Sequence, residues 1–186
     1  MGSIVSYAVR RGDQIGLENF DCKNSDFTQR QKKIMKKTWE TCIYSNSIIV
    51  CMEIMLSLFD KYEDTKKMFT DFKDIPDEEL KNNKKFHAHC QMIMSVVNNA
   101  VNAFLNDDDE LFVTILKITG ERHAKRAKNP IIAKHMERLR DPMIESFKHH
   151  MKSHWTNETG NLWTSAIENI IKVIIQGIQE TYLSEN

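Results

Sequence analysis

The fold turns on two stretches, KKFHAHCQMI (Lys84–Ile93) and GERHAKRAKNP (Gly120–Pro130). In the first, HAH resembles a two-armed metal clamp until it is written on a helix. Successive residues of an α-helix are rotated by about 100°, so His87 and His89 stand about 160° apart. Phe86, His89, Cys90, Ile93, Val97, Ala100 and Phe104 recur at spacings of three and four and form one stripe. His87 falls on the other side with Lys84, Gln91 and Asn98. His89 therefore faces inward and His87 faces water. A lone inward histidine is more often a hydrogen-bonded core residue than a ligand.

The second stretch changes that balance. Phe112, Leu116, Thr119 and His123 share a stripe, with Ile115 beside it. The apolar face ends in a histidine, and the preceding helix offers another inward histidine. Two imidazoles on successive helices suggest a planar metallocofactor between them, since neutral imidazole is a good ligand for iron and apolar walls suit a porphyrin face.

Working outward, helical periodicity dominates, and only three prolines and six glycines interrupt it. The pattern predicts helices at about 28–44, 47–62, 82–105, 109–126, 131–152 and 158–182. Thr28, Asn46 or Ser47, and Thr156 or Asn157 are expected N-caps. DFKDIPDEELKNN reads as a polar connector, and NDDDE as the link between the third and fourth long helices. The fold class is all-α, with one domain over 27–184 behind an arm at 1–26. The 186 residues suffice for one substantial core.

The charges exclude one class of partner. There are 26 basic and 26 acidic residues, without the basic surplus that phosphate neutralisation needs, so no nucleic acid is expected. The runs SIIVCMEIML and IIKVII are short and broken, and no apolar signal core stands near the start, so a cytoplasmic chain is expected. The four cysteines lack CxxC spacing, which speaks for buried reduced thiols; a disulfide involving Cys42 or Cys51 has no support. MGSIVS fits a myristoylation pattern at Gly2. One acyl chain gives marginal binding, and Arg10 and Arg11 are a weak second signal, so reversible membrane contact is the most expected. His149, His150 and His154 cluster, and the last two have the one-turn spacing that can bind zinc. Solvated histidines near a helix C-terminus are the plainer reading. His135 reads as a surface residue.

Taken in order, these features resemble the globin family over nearly the whole chain after the arm. Trp39 in KKTWE, Phe69 and Phe72 in LSLFDKYEDTKKMFTDF, His89, Ile93, His123, Pro130 and Trp163 in NLWTSAIENIIKVIIQGI follow at compatible spacings. The resemblance implies a globin fold, the three-over-three helical sandwich, with an N-terminal extension. It implies haem b as cofactor, His123 as proximal ligand, Phe69 and Phe72 on the haem face, and His89 and Ile93 on the distal side. Met55 stands where many globins carry leucine, tyrosine or phenylalanine, and it has no O–H to offer a bound gas. Thr119 replaces the usual leucine beneath the haem. Arg122 and Lys85 are the candidate cations for the propionates. The free ring N–H of His123 needs an acceptor, expected to be a backbone carbonyl of its own helix.

Two jobs are open to His89. It can donate a hydrogen bond to a small ligand at the iron, O2 foremost, or it can bind the iron itself as sixth ligand. The acylation-like start and long connector resemble the neuroglobin and globin X groups, which favours the second. Six-coordination suits oxygen or redox sensing or electron transfer, with a redox protein as partner. The alternatives are an oxygen store with five-coordinate ferrous haem and a haem-free helical regulatory domain. The chain is not expected to be an enzyme, beyond side redox reactions such as nitrite reduction or nitric oxide dioxygenation.

Overall fold

The chain builds its helices from local signals that can be traced residue by residue. The computed structural model describes residues 27–127 and 132–184; Gly2 and the rest of the arm, and Pro130, lie outside the described residues. Thr28 opens α1 (Gln29–Thr38) through a capping box: its hydroxyl accepts the Gln31 N–H at 3.3 Å, and its own N–H donates to Gln31 Oε1 at 2.8 Å. The chain continues through a π-helical turn, Trp39–Ile43, and a 3-10 turn, Tyr44–Asn46, into α2 (Ser47–Lys61). The continuous helix expected at 28–44 is therefore interrupted. The wide turn coincides with Trp39, whose ring is locked in the core and whose Nε1–H donates to Asn98 Oδ1 at 3.0 Å.

Short α3 (Glu63–Lys66) and α4 (Asp77–Leu80) follow. The expected polar connector is thus partly structured, because Phe72 and Leu80 are buried and tether it. Asn83 caps α5 (Lys84–Leu105) by accepting the Lys85 and Phe86 N–H groups at 3.0 and 3.1 Å. The link to α6 (Asp109–Ala127) is only Asn106–Asp108; Asp109 and Glu110 lie in the first turn of α6, where carboxylates suit the helix dipole. Asp107 takes a left-handed conformation, φ 62°, and its carboxylate receives the buried Lys32 ammonium.

The helix expected at 131–152 is two helices, α7 (Ile132–Glu137) and α8 (Arg140–Met151). At the break Arg138 turns towards α3, donating to Asp64 at 2.8 Å and lying over the Tyr62 ring at 4.7 Å. Thr156 accepts the Thr159 N–H at 3.2 Å and starts α9 (Asn157–Ser184). No strand occurs among the described residues.

α1, α5 and α6 form one layer and α2, α8 and α9 the other, joined chiefly where α6 crosses α9, α2 crosses α5 and α1 meets α9. Trp39, Phe147 and Trp163 cluster with ring centroids 5.4–6.1 Å apart, and Trp163 Nε1–H donates to Thr38 Oγ1 at 3.0 Å. The α6–α9 crossing is made by Gly120 and Gly177. A Cβ on Gly120 would fall 2.9 Å from the Ile178 nitrogen and closer still to the Ile174 carbonyl. Cys51 of α2 and Cys90 of α5 meet in the core as free thiols; their hydrogen bond and burial push the Cys51 thiol up, so it stays protonated. One stretch, within Gln29–Lys61, is long and apolar enough to cross a membrane, but the core positions Val50, Cys51, Ile54, Met55 and Leu58 account for much of that apolarity.

Candidate functional site

Each stripe is mostly buried but opens to half-burial around its histidine. On α5, Phe86 and Cys90 are wholly enclosed, while His89 and Ile93 are half-buried. On α6, Phe112 and Leu116 are enclosed, while Thr119 and His123 are half-buried. These half-buried faces, with His89 and His123 near enough for their charges to interact, mark the candidate opening between α5 and α6. Phe69 packs edge-on against the His89 ring, centroids 5.4 Å apart at 81°, and Phe72 lies 5.7 Å away. Phe69 and Phe72 stack at 5.1 Å, backed by Phe59.

His123 Nδ1 lies 2.7 Å from the Thr119 carbonyl. A carbonyl only accepts, so Nδ1 carries the proton and Nε2 is left as a bare donor atom for a metal. This is the backbone acceptor on the same helix that the sequence called for. Among the described residues no hydrogen-bond partner meets the His89 ring. Burial holds the His89 imidazole below its ordinary pKa, and repulsion from His123 and Arg126 adds to it against the pull of Asp71. Burial also lowers His123, with Arg126 in the same direction, while the bond to Thr119 acts against both. Both rings are thereby kept neutral, the form that binds iron.

The wider comparisons agree with this geometry. The Globin family profile matches residues 52–174. The chain belongs to the globin family. It is 24% identical to cytoglobin-1 of Oryzias latipes over 162 residues, 86% of each chain. It is 23% identical to an anaerobic nitrite reductase of Casuarina glauca over 154 residues, 82% of this chain and 98% of that one. Among solved structures it shares its fold with a hexacoordinated haem protein from an anhydrobiotic tardigrade, at TM-score 0.75 and 22% identity, covering 82% of this chain and 96% of that one.

The residues of this globin fit haem: an imidazole with a bare Nε2, a second imidazole with no hydrogen-bond partner among the described residues, and the aromatic wall of Phe69 and Phe72 beside it. Arg122 is exposed and helps hold the neighbouring Glu121 carboxyl below its usual range. Arg126, also exposed, is a further cation, whose charge acts on both His89 and His123. It lies three residues after His123 and so near its helical face, whereas Arg122 is rotated by about 100°. That i+3 spacing was the available signal. Lys85 pairs with Asp71 at 3.2 Å, on the His89 side of the opening. Met55 is enclosed in α2 and Ile93 packs partly against the same core. Thr119, where a leucine is usual, turns its hydroxyl back to the Ile115 carbonyl at 2.8 Å and leaves its own carbonyl to His123.

The other histidines divide. His87 points away from the site and Nε2 donates to the Lys81 carbonyl at 2.6 Å. His135 is not a surface residue. It is 6% exposed, and its Nδ1 lies 2.8 Å from Thr65 Oγ1 and 3.1 Å from Arg138 Nη1. The zinc-compatible spacing of His150 and His154 is not realised on one helix, because α8 ends at Met151: Lys152 has φ 47° and the chain leaves in a 3-10 turn. His150 and His149 instead converge on Glu53.

Proposed function

We propose that this globin holds haem b between His123 and His89, both bound to the iron, and that it serves oxygen or redox sensing or electron transfer rather than bulk oxygen carriage. One observation carries the reading: His123 presents a bare Nε2 across the opening from a His89 ring that packs against Phe69 and Phe72 and has no hydrogen-bond partner among the described residues. Haem held there would supply an iron that can take imidazole or a small gas as ligand, and a one-electron couple. The Thr119 carbonyl fixes the orientation of the His123 ring and raises its basicity. Phe69 and Phe72 hold the His89 ring from one side, and Met55 and Ile93 keep the distal wall apolar. Arg126, with Lys85 on the other rim, supplies positive charge for the propionates. The tardigrade protein's hexacoordination supports the assignment.

The test is the absorption spectrum of the deoxygenated ferrous protein. Split, sharp visible bands are expected, and His89→Leu should convert them to a single broad band. A broad high-spin band in the unaltered chain would make it a five-coordinate oxygen store, and absence of a Soret band a haem-free regulatory domain. A second reading, slow nitrite reduction as a side activity, is favoured by the name of the Casuarina relative. The remaining proposals concern the cell: a cytoplasmic protein with acylated Gly2 and weak membrane contact. An unmodified Gly2 in the native protein, read by mass spectrometry, removes the acylation.

A further inference from the structure

Away from the haem opening, α2 and α8 bring three metal-ligating side chains to one point. Glu53 projects from α2, and His149 and His150 from the last turn of α8. Glu53 Oε2 lies 2.9 Å from His150 Nε2 and 3.3 Å from His149 Nδ1, and the three ligand atoms all fall within 4.8 Å of one another. Zinc bound by nitrogen and oxygen at about 2.0–2.2 Å in a tetrahedron has ligand–ligand edges of about 3.4 Å. The two measured edges are already close to that length. The third edge, between His149 and His150, is within 4.8 Å, and His149, whose side chain is 68% exposed, has room to adjust. His150 and Glu53 are more enclosed, at 16% and 39%, so two ligands are held by packing while the third is free to swing in. Ser146, one turn before His150, sits 3.4 Å from Glu53 Oε2 and helps aim the carboxylate.

We propose that Glu53, His149 and His150 form a zinc site that clips α2 to α8, with water in the fourth position. Two imidazoles and one carboxylate select a borderline transition ion over magnesium or calcium, which prefer oxygen alone. In the metal-free protein the same atoms are joined by hydrogen bonds from the imidazoles to the carboxylate. On zinc binding each ring proton moves, through solvent, from the nitrogen that faces Glu53 to the outer ring nitrogen, so both imidazoles stay neutral and their outer N–H groups donate to water. The site is separate from His89 and His123 and does not depend on how the haem is ligated.

Equilibrium dialysis of the haem-loaded full chain against Zn²⁺, with zinc and iron counted separately by mass spectrometry, tests this. One zinc per chain is expected beside the haem iron, with an unchanged Soret band and no displacement by excess Mg²⁺. Glu53→Gln and His150→Ala should each weaken binding by at least about tenfold, the lower end of what even an outer-sphere loss costs. His154→Ala should leave it unchanged. No saturable uptake, or uptake undiminished in Glu53→Gln, overturns the proposal, as does a loss confined to His154→Ala. Should the variants fail to fold, anomalous scattering at the zinc edge from the unaltered protein decides: a peak among these three side chains supports the site, and a peak elsewhere or none refutes it.

Discussion

His135 shows how much one side chain can depend on its acceptors. Arg138 Nη1 can only donate, and it faces His135 Nδ1, so that nitrogen must accept and the proton sits on Nε2. Burial, then repulsion from Arg138, hold the ring below its ordinary pKa despite the pull of Asp64. The sign follows from linkage. Between the ordinary value, about 6.5, and the lower native value, the unfolded chain binds a proton that the native chain does not. Stability therefore rises with pH across that window and is lost as pH falls through it. In the haem-loaded protein, His135→Asn keeps an acceptor for Arg138 but cannot titrate. Its Tm should fall less steeply than that of the unaltered chain on acidification below about pH 6.5. Parallel Tm–pH curves would contradict this account.

At the scale of elements, the two-glycine crossing of α6 and α9 is the tightest joint in the fold. A methyl group on Gly120 meets backbone of α9, and one on Gly177 meets the backbone of Lys117, so neither contact is relieved by turning a side chain. The helices must separate, and overpacking of this kind costs about 1–3 kcal/mol. For Gly120→Ala or Gly177→Ala a Tm loss of roughly 2–4 °C per kcal/mol is expected by thermal denaturation. Because His123 stands three residues beyond Gly120, Gly120→Ala should also broaden or shift the Soret band, whereas Gly177→Ala should disturb it less. The surface pairs that decorate the same helices, such as Lys117–Glu180 at 2.6 Å, are exposed and contribute little by comparison.

For the whole molecule, haem is a ligand of the native state alone. Each tenfold excess of free haem over its dissociation constant adds about 1.4 kcal/mol of stability. Removal of haem should lower Tm markedly in the unaltered chain. In His123→Ala the difference between haem-loaded and haem-free protein should shrink, because the proposed ligand on α6 is gone. Equal Tm values with and without haem would mean that the opening between α5 and α6 does not hold it. The interrupted helices belong to the same scale. The break at Arg138–Leu139 lets Arg138 reach Asp64 and Thr65, which ties the chain after His123 to the segment before Phe69.

Local patterning was enough to read the long helices, the capping of α1 by Thr28, and the inward stripes of α5 and α6 that carry His89 and His123. Those features depend on residues one or two turns apart, and helix geometry alone sets which face they share. A same-helix carbonyl acceptor for His123 was legible for the same reason; that it belongs to Thr119 came with the structure. Other features came only with the tertiary structure. Thr65 meets His135 across 70 residues and Glu53 meets His150 across 97, and no periodicity links such positions. Where Gly120 meets Gly177 depended on how α6 lies against its neighbours. Periodicity along one helix determines what faces inward; packing between helices decides what it finds there.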